Sequence, residues 1–453
     1  MKHEKAIILG IAYFSCTVGA GFASGQEMLQ YYAAFSGWGI IGAIIAMALM
    51  PLVAMIGMQY GSYFQATSHD RVFTSVTSKI MARFIDYTIT FTQFCISFVM
   101  LAGAGANLNQ QFGVPLWFGS ALMAAAVIIC GFFNVEKITN ILGSITPFIV
   151  ALLVIVAVHS YFTPPTDIGA AFQFANDNVA TTLPNWWVST FNYVGIAMMG
   201  GISMGIIMGG DILDLKTAGR GGVIGGLLFG VLLVMMVIAM LFNSETVFED
   251  ALPTLSLITS ISQPLGTFAS IIIYVMIFST ALGNFYSLSP SRDGQEARAL
   301  PHGPDHLGYR RLHLVLPGLC NLGRLRLPNY WLPGADQIVV LIWTWLTRGR
   351  SEMTTEMKHR DKIRDLALRM VDPKQKFNTE HRRQLSQEIL GSNLSAKHLE
   401  KTAISEAVEE LSSDADSDFD ADDFTAPKSV LTEQSTQPRP EKLKISLSNH
   451  SQR

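Results

Sequence analysis

Long apolar stretches recur along the first 288 residues, at about 6–35, 38–61, 84–112, 117–133, 141–162, 186–210, 222–242 and 264–288. A helix needs roughly 20 apolar residues to cross the hydrocarbon of a bilayer. Inside lipid the chain must also satisfy its own backbone polar groups. The repetition therefore predicts an all-α polytopic membrane protein, with residues 1–288 as a transmembrane core of eight helices.

Orientation follows from lysine and arginine, which collect on the cytoplasmic side. Lys2 and Lys5 precede the first stretch, and Arg71, Lys79 and Arg83 lie between the second and third. Lys137 lies between the fourth and fifth, and Lys216 and Arg220 between the sixth and seventh. The connections at 113–116, 163–185 and 243–263 hold neither residue type, and carry Asp167, Asp177, Glu245, Glu249 and Asp250 instead. A cytoplasmic N-terminus is expected. Residues 1–20 read as a retained helix rather than a cleaved signal, because apolar character resumes after residue 27. The four cysteines, Cys16, Cys95, Cys130 and Cys320, show no metal spacing and no disulfide framework.

The first stretch is interrupted at about the depth where a membrane helix should be most regular. Residues 17–27, Thr-Val-Gly-Ala-Gly-Phe-Ala-Ser-Gly-Gln-Glu, bring together Gly19, Gly21, Gly25, Thr17, Ser24, Gln26 and Glu27. Backbone groups that leave a helix in lipid survive where protein, water or a solute partners them. Ser24 and Glu27 fit a capping box, so a new helix is expected to start there. The positive end of that half-helix would favour an anion, and the carbonyls near Val18 a small cation. Glu27 invites a proton-coupling role, with closure of the capping box as its plainer reading.

A second interruption is expected in the sixth stretch, where Gly195, Gly200, Gly201, Gly205, Gly209 and Gly210 accompany Asn192, Tyr193 and Ser203. Paired interruptions in two halves are a sequence pointer to a transporter site built on inverted repeats. Here helices 1 and 6 would correspond in two five-helix repeats. Gly201-Ile-Ser-Met-Gly205 also matches the hydrolase pattern G-x-S-x-G, but it lacks a strand–turn–helix context. The nearest histidine, His159, lies at the outer end of helix 5, so no enzyme is expected. Gly222, Gly226 and Gly230 form a packing ridge. Ser279 and Thr280 in the eighth stretch read either as back-bonded hydroxyls or as oxygen ligands for Na⁺.

Residues 289–334 differ in kind, with six Arg, six Pro and three His but no Ile, Met, Phe, Thr or Lys. Proline at that frequency opposes a helix, and arginine at bilayer depth is costly. The block is read as a shifted reading frame replacing a ninth helix and the start of a tenth. Translation of the other two frames between codons 288 and 336 tests this, and finding no apolar stretch there ends the idea. Residues 335–348 read as a residual hydrophobic helix. Residues 349–453 read as a cytoplasmic, largely disordered acidic tail, with short amphipathic helices considered for 352–412 and an acidic run at 413–423.

With both breaks and the helix 8 hydroxyls in hand, residues 5–288 resemble the YkvI-type family of bacterial membrane proteins, most clearly at 17–27. That family in turn is similar to LeuT-fold transporters of the amino acid–polyamine–cation superfamily. The resemblance implies discontinuous helices 1 and 6, truncation around helices 9 and 10, and a site at the membrane midplane in a bacterial cytoplasmic membrane. It implies a sodium site at the Val18 and Gly21 carbonyls with Ser279 and Thr280. The expected function is a secondary transporter of a small solute, an amino acid or related zwitterion, coupled to Na⁺ or H⁺. Its carboxylate would lie at Ala20, Gly21, Ser24, Gly25 and Gln26, and its remainder against Asn192, Gly200, Gly201 and Ser203. No cofactor is expected beyond Na⁺ as coupling ion, and no nucleic-acid partner. The alternative is a non-transporting sensor or scaffold that signals through the tail to a protein partner.

Overall fold

The computed structural model describes residues 2–130, 145–287, 334–412, 419 and 429–431. Among these residues the chain is helical, and no strand occurs. The N-terminal part runs through α1 (Lys2–Thr17), α2 (Ala20–Ser24), α3 (Gln26–Tyr31), α4 (Gly37–Phe64), α5 (His69–Val76), α6 (Lys79–Phe112) and α7 (Leu116–Cys130). Then come α8 (Thr146–Phe162), α9 (Ile168–Asn178), α10 (Trp186–Gly210), α11 (Leu215–Phe242), α12 (Ser244–Val247), α13 (Pro253–Ile261) and α14 (Gln263–Ser287). After residue 333 follow α15 (Ala335–Thr344), α16 (Arg350–Val371), α17 (Thr379–Gly391) and α18 (Ala396–Ser412). Helices α4, α6, α10, α11 and α14 are long and apolar enough to cross a membrane, and α7 and α8 are shorter apolar helices. The protein is an all-α polytopic membrane protein.

Glycine decides how the helices pack. Association in lipid depends on close van der Waals contact rather than on a hydrophobic drive. Helix α11 lies along α4, and α1 lies along α11 and α10. A Cβ on Gly222, Gly226 or Gly230 would lie 2.7 Å from the Ala54 carbonyl carbon, 2.6 Å from Pro51 Cα or 2.7 Å from Met47 Cα. Side chains larger than hydrogen would force these backbones apart. The expected glycine ridge is thus the α4–α11 seam. Helices α1, α4, α10 and α11 form one set, and α6 joins α7 and α14 in another. In the second set the Ser270 hydroxyl donates to Asn107 Oδ1 at 2.6 Å, and the Tyr274 hydroxyl to the Gly119 carbonyl at 3.2 Å.

The sixth membrane helix departs from expectation. Helix α10 is continuous from Trp186 to Gly210, so helix 6 is not interrupted. Its glycines keep helical dihedrals and serve close approach instead. A Cβ on Gly209 would lie 2.2 Å from the Met58 carbonyl oxygen, and one on Gly210 would lie 2.1 Å from that of Ala66. The connections at 163–185 and 243–263 also carry helices, α9, α12 and α13.

Residues 350–412 form three helices with a shared core rather than an unstructured tail. Ile363, Ala367, Leu385, Ile389, Leu399 and Ala403 are buried together, and Leu213 from the α10–α11 connection joins them. Helix α15 runs through a π-turn at Trp345–Gly349 into α16. Arg360 of α16 ties this unit to the membrane core. Its Nε donates to Glu356 at 2.8 Å, Nη1 to the Ser62 and Leu213 carbonyls at 2.8 and 2.9 Å, and Nη2 to the Tyr63 carbonyl at 2.9 Å and Asn393 at 3.1 Å. All five guanidinium donors are therefore used. Burial pushes the Arg360 pKa down, and the Glu356 carboxylate opposes that shift. Ion pairs Lys5–Glu409 and Lys216–Asp361 add exposed ties at 2.9 and 2.6 Å. The anomalous block falls outside the described residues except Gly334. The acidic run falls outside them except Phe419.

Candidate functional site

The first interruption expected from the sequence is present, and its geometry follows from its residues. Helix α1 ends at Thr17, whose hydroxyl turns back to the Tyr13 carbonyl at 2.8 Å. Gly19 is extended (φ −94°, ψ 177°) and starts the five-residue α2. Gly25 then takes the left-handed conformation, φ +81°, between α2 and α3. A Cβ there would lie 2.4 Å from Thr254 Oγ1 and 3.0 Å from the Thr254 nitrogen. Both backbone angle and space therefore require glycine. Gly19 differs, since a Cβ there would meet nothing within 4 Å. Open space adjoins the first turn of the break.

The capping box does not form. Ser24 Oγ donates to the Gly21 carbonyl at 2.7 Å and accepts from the Gln26 nitrogen at 3.2 Å, with left-handed Gly25 in between. Glu27 is released from capping and folds its carboxylate against Gly21, where an added Cβ would overlap Glu27 Oε1. No Lys, Arg or His pairs with Glu27 among the described residues. Tyr193 from α10 packs its ring 5.5 Å from Tyr31 and 5.2 Å from Tyr32. The Ser189 hydroxyl donates to the Tyr31 carbonyl at 2.5 Å and pins α3 to α10.

Three buried polar atoms around the break have no hydrogen-bond partner, Gln26 Oε1, Tyr32 OH and Thr254 Oγ1, and the Tyr193 hydroxyl lies against the Glu27 carboxylate. Such groups normally find partners, because burying one unpaired costs about 1–3 kcal/mol. Their concentration at the break, beside a carboxylate without a basic partner among the described residues, marks a place prepared for something else. Outside α13, residues Gln110, Gln111, Leu255, Ser256, Thr259, Ser260 and Gln263 line an open polar recess of about 350 Å³. Helix α13 thus faces the break through Thr254 and the recess through Leu255, Ser256 and Thr259.

Of the residues singled out from sequence, Val18, Ala20, Ser24 and Gly25 are buried at the break, and Gly21 and Gln26 are half-buried there. Asn192 is buried on α10 beside Tyr193. Gly201 faces the Tyr13 hydroxyl, 2.9 Å from an added Cβ, and the Ser203 hydroxyl turns back to the Met199 carbonyl at 3.3 Å. Gly200 faces open space. Ser279 and Thr280 are half-buried on α14, which packs against α2. The Gly21 carbonyl already accepts the Ser24 hydroxyl. No cluster of three or more His, Cys, Asp or Glu side chains that could hold a metal occurs among the described residues. Thr254 and the pair Tyr31 and Tyr32 were not singled out. The tyrosines stand four and five residues past Glu27, a spacing that could have drawn them in. Thr254 carries no local signal, since only the fold brings α13 to Gly25.

No known protein-family profile matches the chain. It is 21% identical over 290 residues to the uncharacterized membrane protein YkvI of Bacillus subtilis (strain 168), covering 64% of this chain and 82% of that one. It is 26% identical over 218 residues to the uncharacterized protein YyaD of the same organism, covering 48% and 60%. Among solved structures it is similar to a manganese transporter of Eremococcus coleocola, 12% identical with a TM-score of 0.38, covering 89% of this chain and 92% of that one. That last likeness is too loose to carry an argument. The first supports a YkvI-type membrane family.

Proposed function

We propose that the protein is a secondary transporter, not an enzyme, that moves a small solute by alternating access, coupled to Na⁺ or H⁺. One observation carries this reading. A membrane helix comes apart at Gly19 and Gly25, and buried polar atoms without partners surround the gap. Irregular backbone at membrane depth is tolerated where it lines a cavity or a bound ligand. Two helix sets, one welded by glycine seams, supply bodies that can rock: α1, α4, α10 and α11 against α6, α7 and α14. The solute would lie beside Ala20, Gly21, Ser24, Gly25 and Gln26, with Asn192 and the open side of Gly200 across from them. A sodium ion would use the Val18 and Gly21 carbonyls with Ser279 and Thr280. Uptake undiminished without Na⁺ removes that ion from the scheme. The charge pattern favours a cytoplasmic N-terminus, and the likeness to a Bacillus subtilis membrane protein favours a bacterial inner membrane.

Accessibility tests the reading without knowing the substrate. In a chain whose four cysteines are replaced by serine, Gly19→Cys is exposed to a membrane-impermeant thiol reagent in right-side-out and in inverted vesicles. Labelling from both sides is expected. A thiol reached from neither side, or from one side only under every condition, contradicts alternating access.

One observation favours a second reading, a sensor signalling through its cytoplasmic part. Residues 350–412 are folded and fastened to the membrane core through Arg360. Deleting residues 349–453 separates the two, since transport should survive the deletion and signalling should not.

A further inference from the structure

We propose that the folded unit 350–412 is a salt-sensitive latch on the cytoplasmic end of α1. While Glu409 holds Lys5, the half-helix stays on α11 and the space at Gly19 is closed to the cytoplasm. This rests on the transporter reading and adds a control on that same site.

Two kinds of contact fasten the unit, and they differ in burial. Arg360 is 4% exposed and holds the Ser62, Tyr63 and Leu213 carbonyls. Asn393 Nδ2 adds a bond to the Tyr63 carbonyl at 2.7 Å, and Trp345 Nε1 donates to Gln59 Oε1 at 3.0 Å. These contacts anchor the unit on the end of α4 and on the α10–α11 connection. The tie to α1 is of the other kind. Lys5 and Glu409 meet at 2.9 Å with side chains 47% and 65% exposed. Lys216 and Asp361 meet at 2.6 Å on the start of α11, and both are exposed as well. Screening separates the two kinds, because its length falls from roughly 30 Å at 0.01 M salt to roughly 3 Å at 1 M, while buried groups are screened much less. Salt therefore loosens α1 from the unit and leaves the unit anchored.

Helix α1 is the element that such a tie can govern. It ends at Thr17, and extended Gly19 joins it to α2. Its seam with α11 is close at Gly10 and Gly225, where a Cβ on Gly225 would lie 2.6 Å from the Gly10 carbonyl oxygen. Contact of that kind has no hydrophobic drive behind it in lipid, so the two helices can part. Lys5 lies about 18 Å from Thr17 at the helical rise. A restraint at that free end opposes tilting about Gly19 with a long lever.

The charges around Lys5 make the tie one-sided. Glu406, half-buried one turn before Glu409, lies against the Leu213 nitrogen and is close enough to Lys5 and Asp214 to feel both charges. Lys5 is thus a cation set beside the carboxylates of Glu406 and Glu409, with Asp214 behind them. Lys5→Glu turns attraction into repulsion at an exposed position, where folding is not at stake.

The test uses the full-length chain with its four cysteines replaced by serine and has two readouts. The first is the distance between spin labels on His3→Cys of α1 and Ser405→Cys of α18, both exposed. It should be single and short at roughly 0.01 M potassium chloride, and should lengthen at roughly 1 M. The second is the rate at which Gly19→Cys in inverted vesicles reacts with an uncharged, membrane-impermeant maleimide. It should rise roughly threefold over the same salt change, the size an exposed ion pair supplies. Lys5→Glu should give the long distance and the fast rate at low salt. Lys5→Glu combined with Glu409→Lys should restore the short distance, the slow rate and the response to salt. A distance indifferent to salt and to Lys5→Glu overturns the latch, and so does a charge swap that restores nothing. A distance that lengthens while the rate stays fixed overturns its control of the site. The transporter reading fails separately. A thiol reached from neither side while the distance follows salt removes the transporter and leaves only a contact. A thiol reached from both sides with neither readout following salt keeps the transporter and removes the latch.

Discussion

Replacing Gly25 by alanine should destabilise the protein far more than the same change at Gly19, six residues earlier in the same motif. At Gly25 two costs combine. The backbone is at φ +81°, and a left-handed L-residue costs about 1–2 kcal/mol. The new Cβ would also lie 2.4 Å from Thr254 Oγ1, 2.7 Å from Met240 Cε and 3.0 Å from the Thr254 nitrogen. The methionine tip can swing away, but the Thr254 backbone belongs to α13 and cannot. Overpacking of this kind costs about 1–3 kcal/mol. The sum is about 2–5 kcal/mol. At Gly19 the backbone is extended and a Cβ meets nothing within 4 Å, so the change should stay within about 0.5 kcal/mol. Thermal unfolding of the two variants and the parent in one detergent, at one scan rate, gives the comparison. Gly25→Ala should unfold several degrees below the parent, and Gly19→Ala at the parent's own midpoint. If Gly25→Ala unfolds with the parent, Gly25 is not left-handed and not against α13, and the description of the break fails.

Gly19→Leu should fill the space beside the break, leaving the unfolding midpoint near the parent's while abolishing solute entry; normal uptake or unchanged ligand affinity would mean that space is not the path. Gly226→Leu drives a side chain into Pro51 across the α4–α11 seam, 2.6 Å from its Cα at the first carbon, and should block stable insertion as judged by monodispersity in detergent. Ser189→Ala leaves the Tyr31 carbonyl without its 2.5 Å partner and should lower stability by about 1–3 kcal/mol, read from the same thermal assay. Arg360→Met removes the counter-charge of buried Glu356 and the guanidinium's bonds to the Ser62, Tyr63 and Leu213 carbonyls, so limited proteolysis should release residues 350–412 from the membrane core much faster than in the parent.

How far the sequence foretold this depends on which atoms do the work. The break at 17–27 was legible because Thr17, Ser24, Gln26 and Glu27 accompany its glycines, and polar side chains so concentrated at membrane depth go beyond what helix packing needs. The interruption expected at 195–211 was not found because Gly201, Gly205 and Gly209 recur every four residues. That spacing lies on one helix face, and it allows α1 and α4 to approach an unbroken α10. The same logic made the ridge at Gly222, Gly226 and Gly230 readable. Ser24 and Glu27 satisfied a capping pattern by residue type, yet the left-handed turn at Gly25 redirected Glu27 to Gly21. Residue type alone does not report the sign of φ. The helices of 350–412 were visible as amphipathic pattern, but their docking was not, because Arg360 binds the carbonyls of Ser62, Tyr63 and Leu213, and a carbonyl belongs to every residue. Thr254 reaches the break only through the path of α13.

The measurement that bears most directly on the account is a cryo-electron microscopy map of the protein in a lipid nanodisc, detailed enough to trace the main chain from Lys2 to Phe35. It should show helix ending at Thr17, resuming at Ala20 and turning again at Gly25, with the Glu27 side chain directed to Gly21 and the tyrosines around it. A single uninterrupted helix from Lys2 to Tyr31, with Glu27 directed to lipid or solvent, would contradict the account.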